Sequence, residues 1–302
     1  MDRFEAMQRF LLVAQYGSFT RAAEALDLPK SSISSAVQFL ERKLGTRLFH
    51  RSTRRVTLTN DGEAYLIQSR AILMELDAVE SQFQQQGDEI SGVIKVDMPS
   101  RFASTVVLPH LRDWLDSYPN VQIKISSADY TVDLVKEGID CVVRVGDLSD
   151  SALIARPLAM YQPFNCVSPE YLEKFGVPKT LASLQDHLLI DYSPKMGNSQ
   201  ATFEYVEKGE TQQLPMPSVL AVNGTDAYLS ACLSGLGIAQ IPALGIRAHL
   251  EAGRLVRILP KHEAAAMPVS LLYLSRRQVP RRLSLFMDWL EALVKRVTST
   301  SG

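Results

Sequence analysis

Residues Ser18–Leu44 read SFTRAAEALDLPKSSISSAVQFLERKL, and this stretch decides the fold of the amino-terminal part. It divides into two short amphipathic helices joined by a tight turn. Ser18 follows Gly17 and is a good N-cap for the first helix. Ala22, Ala23 and Leu26 share one side of that helix, a face suited to close packing. The turn is Asp27-Leu28-Pro29, with the proline expected in the first turn of the next helix, where its missing N–H would have no partner anyway. In the second helix Ile33, Val37, Leu40 and Leu44 recur at spacings of four, three and four, which predicts one buried stripe. Ser31, Ser35, Gln38 and Arg42 point the other way, with Ser34 on the flank. Short hydroxyls let a helix backbone approach a groove closely, and Gln38 can reach a base edge. Any amphipathic surface helix has a polar face, so the face alone does not decide. The turn and the residues after the helix do, and together they read as a helix-turn-helix.

Upstream, Phe4, Met7, Leu11 and Ala14 predict the stripe of a third helix. Downstream, GTRLFHRSTRRVTLT (45–59) holds two short extended pieces, Leu48-Phe49 and Val56–Leu58, around a basic turn. That pattern is a β-wing, with His50, Arg51, Arg54 and Arg55 in or near its tip. Guanidinium groups there can neutralise phosphates or enter a narrow minor groove. Residues 1–62 hold ten Lys or Arg against six Asp or Glu, about +4, so a net charge of −1 leaves the remainder near −5. The basic end is the DNA-binding candidate, and the acidic remainder limits non-specific adhesion.

The chain of 302 residues, 46% hydrophobic, is too long for one winged helix and fits two or three domains. Cys141, Cys166 and Cys232 are scattered and odd in number, without disulfide or metal spacing, which fits a reducing cytoplasm. The amino terminus starts with an amphipathic helix and not a signal peptide. Tyr228–Ile246 carries no charge, but Gln240, Pro242 and three glycines interrupt it, so a buried helix running into a strand is expected there and no membrane span. Residues 60–86 read as one long helix capped by Asn60 or Thr59, in which Tyr65, Ser69, Ile72, Leu76, Val79 and Phe83 alternate at four and three. Packing on its own domain would give the same amphipathicity. The length, and the polar run Gln84–Glu89 that follows, favour an exposed dimerisation seam of Tyr65, Ile72, Leu76, Val79 and Phe83.

From Gly92 strand and helix signals alternate: strand 93–98, helix 102–118, strand 121–126, helix 132–137, strand 141–145. This predicts an α/β domain with parallel pairing. Ligands of open α/β sheets sit at the carboxyl ends of strands, near helix N-termini. That rule selects Ser100 and Arg101 with Phe102, then Ser127 and Ala128, then Arg144 and Gly146. Asn223, Thr225 and Asp226, after strand 219–222, complete the set. Ser100 and Thr225 can serve equally as helix caps, and Arg144 can equally pair with an acid nearby. Two arginines favour a small organic anion, while Asp129 and Asp226 argue for a polar or mixed ligand. Cys232, with no basic or metal partner in the sequence, reads as a buried structural thiol before a redox switch. The tail 298–302 is polar and expected to be disordered.

The motif Ser18-Phe-Thr-Arg-Ala-Ala23, with Leu26, Ser34, Leu40-Glu41, Leu44-Gly45, Leu48-Phe49, Arg51, Leu58-Thr59 and Gly62, resembles the LysR-type transcriptional regulators. The segments 93–99, 137–146, 168–172 and 234–239 resemble the effector-binding domain of that family. One departure stands out: many members have Ser-Gln where this chain has Pro29-Lys30, and a lysine there suits phosphate or guanine. The resemblance implies a winged helix-turn-helix over 1–59, a linker and dimerisation helix over 60–86, a hinge over 87–91 and an effector-binding domain over 92–302. The last domain would be two-lobed α/β, like type-two periplasmic binding proteins. Lobe one is then 92–160 with 267–302 and lobe two 161–266, with crossovers near Pro157–Pro163 and Pro260–Pro268. The candidate DNA-contacting set is Ser18, Thr20, Arg21, Lys30, Ser31, Ser32, Ser34, Ser35, Gln38, Arg51, Arg54 and Arg55. Expected partners are an interrupted dyad in double-stranded DNA, a small-molecule effector, further copies of the chain as dimer or tetramer, and RNA polymerase. No cofactor is expected beyond the effector. An enzyme is disfavoured, since no P-loop, HExxH, CxxC or GxSxG occurs. A stand-alone solute-binding protein would explain only the second part, and an architectural DNA-binding protein only the first.

Overall fold

The computed structural model describes residues 1–51, 56–83, 90–127, 134–148, 153–193, 196–197, 200–274 and 279–299. Two compact units divide the chain, the first built on residues 1–90 with 133–139 and 276–284, the second on the rest.

In the first unit α1 (Arg3–Tyr16) is capped by the Asp2 carboxylate, which accepts from Glu5 N, and ends at Gly17, whose φ of 57° takes the left-handed turn. The helix-turn-helix follows as α2 (Phe19–Ala25) and α3 (Lys30–Leu44). Ser18 Oγ accepts from Arg21 N and starts α2 as expected. The turn is made by Asp27, at φ 52°, a conformation that Asp tolerates better than most residues. Pro29 differs from expectation: it lies just outside α3, extended at ψ 139°, because an α3 that began earlier would run through that turn. Ile33, Ala36, Val37 and Leu40 are buried on α3, but Leu44 is 45% exposed, since the helix has already left the core where Gly45 ends it. The stripe of α1 is also shifted, to Ala6, Met7, Phe10 and Val13; Phe4 is exposed, as is Leu26 after α2. Arg9, itself buried, joins α1 to α3 through Ser32 Oγ (2.8 Å) and pairs with Glu5.

The wing hairpin pairs β1 (Phe49–Arg51) with β2 (Val56–Leu58), Phe49 opposite Leu58. Leu48 and Phe49 are buried, and Phe49 meets Phe10 and Phe19 at ring separations of 5.2 and 5.8 Å. Then α4 (Asn60–Phe83) begins, capped by Thr59, whose Oγ1 accepts from Gly62 N at 2.9 Å. At Gly62 a Cβ would stand 2.0 Å from the Leu48 carbonyl oxygen, so only glycine lets α4 close against the wing. Tyr65 is not on an outward seam. Its ring packs on Phe10 at 5.2 Å, because the first turns of α4 are part of this unit's core.

The second unit holds β3 (Gly92–Asp97), α5 (Ser100–Phe102), α6 (Leu111–Ser117), β4 (Val121–Ser126), β5 (Cys141–Val145), β6 (Leu153–Tyr161) and β7 (Pro163–Val167). The short α7 (Leu134–Glu137) clusters with the first unit. Next come α8 (Pro169–Phe175), β8 (Ile190–Tyr192), β9 (Thr202–Glu207), β10 (Glu210–Pro215), β11 (Leu220–Val222) and α9 (Thr225–Leu233). The chain closes with β12 (Ala239–Pro242), α10 (Arg247–Glu251), β13 (Val256–Arg257), β14 (Met267–Leu274) and α11 (Arg281–Ser299). The helix expected over 102–118 is broken: a π-helical turn at Ala103–Val107 and a 3-10 turn at Leu108–His110 separate α5 from α6. Thr298 and Ser299, expected in a disordered tail, complete the last turn of α11, with Thr298 Oγ1 donating to Val294 O.

One sheet runs in the order β4-β3-β5-β14-β6. Parallel pairing holds for β3 with β4 and β5, but β14 is antiparallel to both β5 and β6. The difference has a topological cause, because β6 leads out to the other strands of the unit and β14 leads back. Leu158 bulges out of β6 where Pro157, which cannot donate, pairs with Ser270. The remaining strands form separate small sheets, β12-β7-β13, β11-β8 and the hairpin β10-β9, all between residues 163 and 257. The hairpin turns at Lys208 and Gly209, both at positive φ, as a two-residue turn requires.

Substituting Gly62→Ala should destabilise the first unit by about 1–3 kcal/mol, the usual cost of forcing atoms into a packed contact, and thermal unfolding will read it. A second outcome concerns His187, whose buried ring lies 3.2 Å from the Tyr171 hydroxyl. Burial holds its imidazole below the ordinary value, against the opposing pull of Asp186. Below pH about 6.5 the unfolded chain then binds more protons, so stability falls as pH drops through that point. The fall between pH 7 and 5.5 should be shallower in His187→Gln.

Candidate functional site

The exposed surface of α3 carries Lys30, Ser31, Ser35 and Gln38, opposite the buried Ile33, Ala36, Val37 and Leu40. Arg42 Nε donates to Gln38 O one turn back. Ser34 is half-buried on the flank, and Thr20 and Arg21 are exposed on α2. Two expected contacts have other roles in this fold. Ser18 caps α2, and the Ser32 hydroxyl is taken by Arg9, because its position on α3 faces α1. The tip residues Arg54 and Arg55 lie outside the described residues, as does the side chain of Arg51. On α4, Ile72 and Val79 are 42% and 39% exposed with Leu76 half-buried between them, so an apolar outward stripe begins two turns beyond Tyr65. The Phe83 side chain lies outside the described residues.

In the second unit the carboxyl ends of β3, β4, β5 and β11 bring forward the other predicted residues. Ser100 Oγ lies 3.0 Å from Thr225 Oγ1, joining the start of α5 to the start of α9. Arg101 Nη1 donates to Asp226 Oδ1 at 3.2 Å, and Arg101 Nη2 donates to the Gly245 carbonyl. Residues 100 and 101 belong to the β3 side of the unit, and 225, 226 and 245 to the segment between β7 and β13, so these bonds bridge two substructures. Burial, then the charges of Arg254 and Arg101, hold the His249 imidazole below its ordinary value. Ser127 and Asn223 are exposed at their strand ends, and Gly146 turns the chain after β5 at φ 100°. Ala128 lies outside the described residues.

Two residues are corrected. Phe102 is 4% exposed and belongs to the core, since α5 turns its apolar side to the sheet. Arg144 is engaged on its own side: Nη1 donates to Asp97 Oδ2 at 2.7 Å, and Asp97 is fully buried. A buried carboxylate of that kind needs its cation. The sequence pointed to such an acid but not to which one, because β3 and β5 become neighbours only in the sheet.

The three cysteines are all buried. A hydrogen bond with Cys166 and burial push the Cys232 thiol far up, which favours its protonated form. Among the described residues no group of His, Cys, Asp and Glu could hold a metal ion. Among them, too, no helix is long and apolar enough to cross a membrane.

Comparison with known proteins agrees with this geometry. Residues 4–63 match the bacterial regulatory helix-turn-helix protein model of the lysR family, and residues 87–295 match the LysR substrate binding domain. The HTH-type transcriptional regulator YhjC of Escherichia coli is 41% identical over 98% of this chain and 99% of its own length. An HTH-type transcriptional repressor of Pseudomonas aeruginosa is 34% identical, over 97% of this chain and 92% of its own. Among solved structures, CrgA, a LysR-type transcriptional regulator from Neisseria meningitidis, aligns with a TM-score of 0.62 at 28% identity, covering 96% of this chain and 98% of that one. A helix-turn-helix with its α3 face exposed, joined to an α/β substrate-binding domain over the whole aligned length, makes this chain a member of the LysR-type transcriptional regulators, a family of DNA-binding regulators and not of enzymes.

Proposed function

We propose that the chain regulates transcription by reading an interrupted dyad in double-stranded DNA as a dimer or tetramer, under control of a small-molecule effector. The observation that carries this reading is the exposed Lys30-Ser31-Ser35-Gln38 face of α3, fixed outward by burial of the opposite stripe. Gln38 reads a base edge, while Ser31, Ser34 and Ser35 keep the helix close to the groove. Lys30, Thr20 and Arg21 meet the backbone, and Arg51, Arg54 and Arg55 of the wing take phosphates or a narrow minor groove. Ser18 and Ser32 act indirectly, by capping α2 and anchoring α3. The seam of Ile72, Leu76, Val79 and Phe83 pairs two copies and spaces two recognition helices about one helical turn apart.

The effector is a small organic anion held by Ser100, Arg101, Ser127, Asn223 and Thr225 at the strand ends. It changes DNA binding only by favouring one arrangement of the protein over another. The protein acts in the cytoplasm and has RNA polymerase as a further partner.

Selection of bound genomic fragments by the purified full chain, with footprinting of the winners, tests the reading. Enrichment of one interrupted dyad supports it; salt-sensitive binding without enrichment removes the sequence-specific part. Gln38→Ala should alter preference at one base position, at about 1–3 kcal/mol for a lost bidentate contact. Lys30→Ala separates two contacts. A phosphate contact predicts uniform weakening and a salt slope lower by about 1, whereas a guanine contact predicts a changed preference at one position.

A further inference from the structure

Two arginines stand at the strand ends of the second unit, and their ion pairs differ in kind. Arg144 is joined to Asp97 at 2.7 Å, with the carboxylate 0% exposed. Removing that partner would leave a buried charge alone, so the pair does not exchange. Arg101 is joined to Asp226 at 3.2 Å, with the Asp226 side chain 62% exposed and that of Arg101 only 19%. The arginine stays in place without its acid, because Nη2 also donates to the Gly245 carbonyl. The space beside that carbonyl is tight, since a Cβ on Gly245 would stand 3.2 Å from Arg101 Nε. The same Nε is buried and, among the described residues, has no hydrogen-bond partner. Arg101 is therefore a fixed guanidinium whose Nε is unused and whose Nη1 is held by an exchangeable carboxylate. The Ser100–Thr225 hydroxyl pair lies next to it.

From this geometry we infer that Asp226 is a built-in competitor, occupying on Arg101 the place that a carboxylate group of the effector takes. The inference rests on the reading of these strand ends as the effector site, and it narrows the ligand to one bearing a carboxylate. A planar carboxylate matches the fork of a guanidinium and can engage two of its donors, which the single 3.2 Å contact of Asp226 does not. Exposed ion pairs contribute little, so displacing Asp226 weakens ligand binding only by a factor of about five. Arg254, which with Arg101 depresses His249, adds positive charge at the same corner.

The test uses acetate as the probe on the full chain, with chloride matching the ionic strength. The side-chain Nε–H resonance of Arg101 is identified by its loss in Arg101→Gln. In the wild type, acetate should shift this resonance weakly. In Asp226→Asn, whose exposed position leaves the fold intact by circular dichroism, the apparent affinity should rise about fivefold. An unchanged affinity in Asp226→Asn overturns the inference, and a lower one does too, since Asp226 would then belong to the site. Failure of the effector-site reading looks different. Substituting Ser127 and Asn223 would leave any acetate response of the DNA footprint intact, while acetate still titrated Arg101 with the fivefold gain.

Discussion

The packing of α1 against α3 is the constraint on which the DNA-facing surface depends. Ala6, Ala22 and Ala36 are 0% exposed at the centre of the first unit, and their small side chains let the helices approach closely. Around them Phe10, Ile33, Val37, Leu40, Leu48 and Phe49 are buried, each worth roughly 1.5–3 kcal/mol of transfer for a large apolar side chain. That energy fixes the rotation of α3 about its own axis. A helix turned by one residue, about 100°, would expose part of this stripe and bury Gln38 or Ser35 instead. The outward face is thus set by what lies inward, and Arg9 adds a polar restraint at one end, where it holds Ser32.

A different constraint governs the second unit. Asp97 ends β3 with its carboxylate fully buried, and the cost of leaving such a charge alone far exceeds that of breaking an exposed pair. Arg144 is therefore committed to structure, although its position at the end of β5 fits the rule for ligand contacts. Arg101, one turn into the next segment, meets an exposed acid and a carbonyl instead. Two arginines that look equivalent in sequence are separated by the burial of their partners.

The sequence was most legible where a short repeat met a hard boundary. The helix-turn-helix, the wing and the starts of α2 and α4 follow from Ser18, Gly45, Thr59 and the spacing of apolar residues, and the fold keeps them. It was less legible where periodicity continued past the core. Leu44 and Phe4 keep the helical spacing yet are exposed, because the core ends before they do. Tyr65 fits a seam and an intramolecular core equally well by spacing, and only the position of Phe10 decides. Phe102 lies in the core and Ser32 holds Arg9 for a related reason: adjacency in sequence to a strand end or a polar face says nothing of which way a side chain turns. The antiparallel return of β14 was not legible at all, since alternating strands and helices read the same whichever way the last strand runs.

Regulation by a ligand in the second unit requires an energy difference that the protein can reverse. The polar bonds that join its two substructures near α5 and α9 include the Ser100–Thr225 hydroxyl contact and the two contacts of Arg101. The neutral hydroxyl contact contributes about 0.5–1.5 kcal/mol, the guanidinium–carbonyl bond about 1.5–3 kcal/mol, and the exposed ion pair about 0–1 kcal/mol. A ligand that replaces them need gain only about 1.4 kcal/mol in one arrangement over the other to change the ratio tenfold. Stronger bonds, such as a buried pair of the Arg144–Asp97 kind, would hold one arrangement against any small molecule of ordinary affinity. Weak contacts at this junction, beside strong ones a strand away, are what a ligand-controlled equilibrium needs.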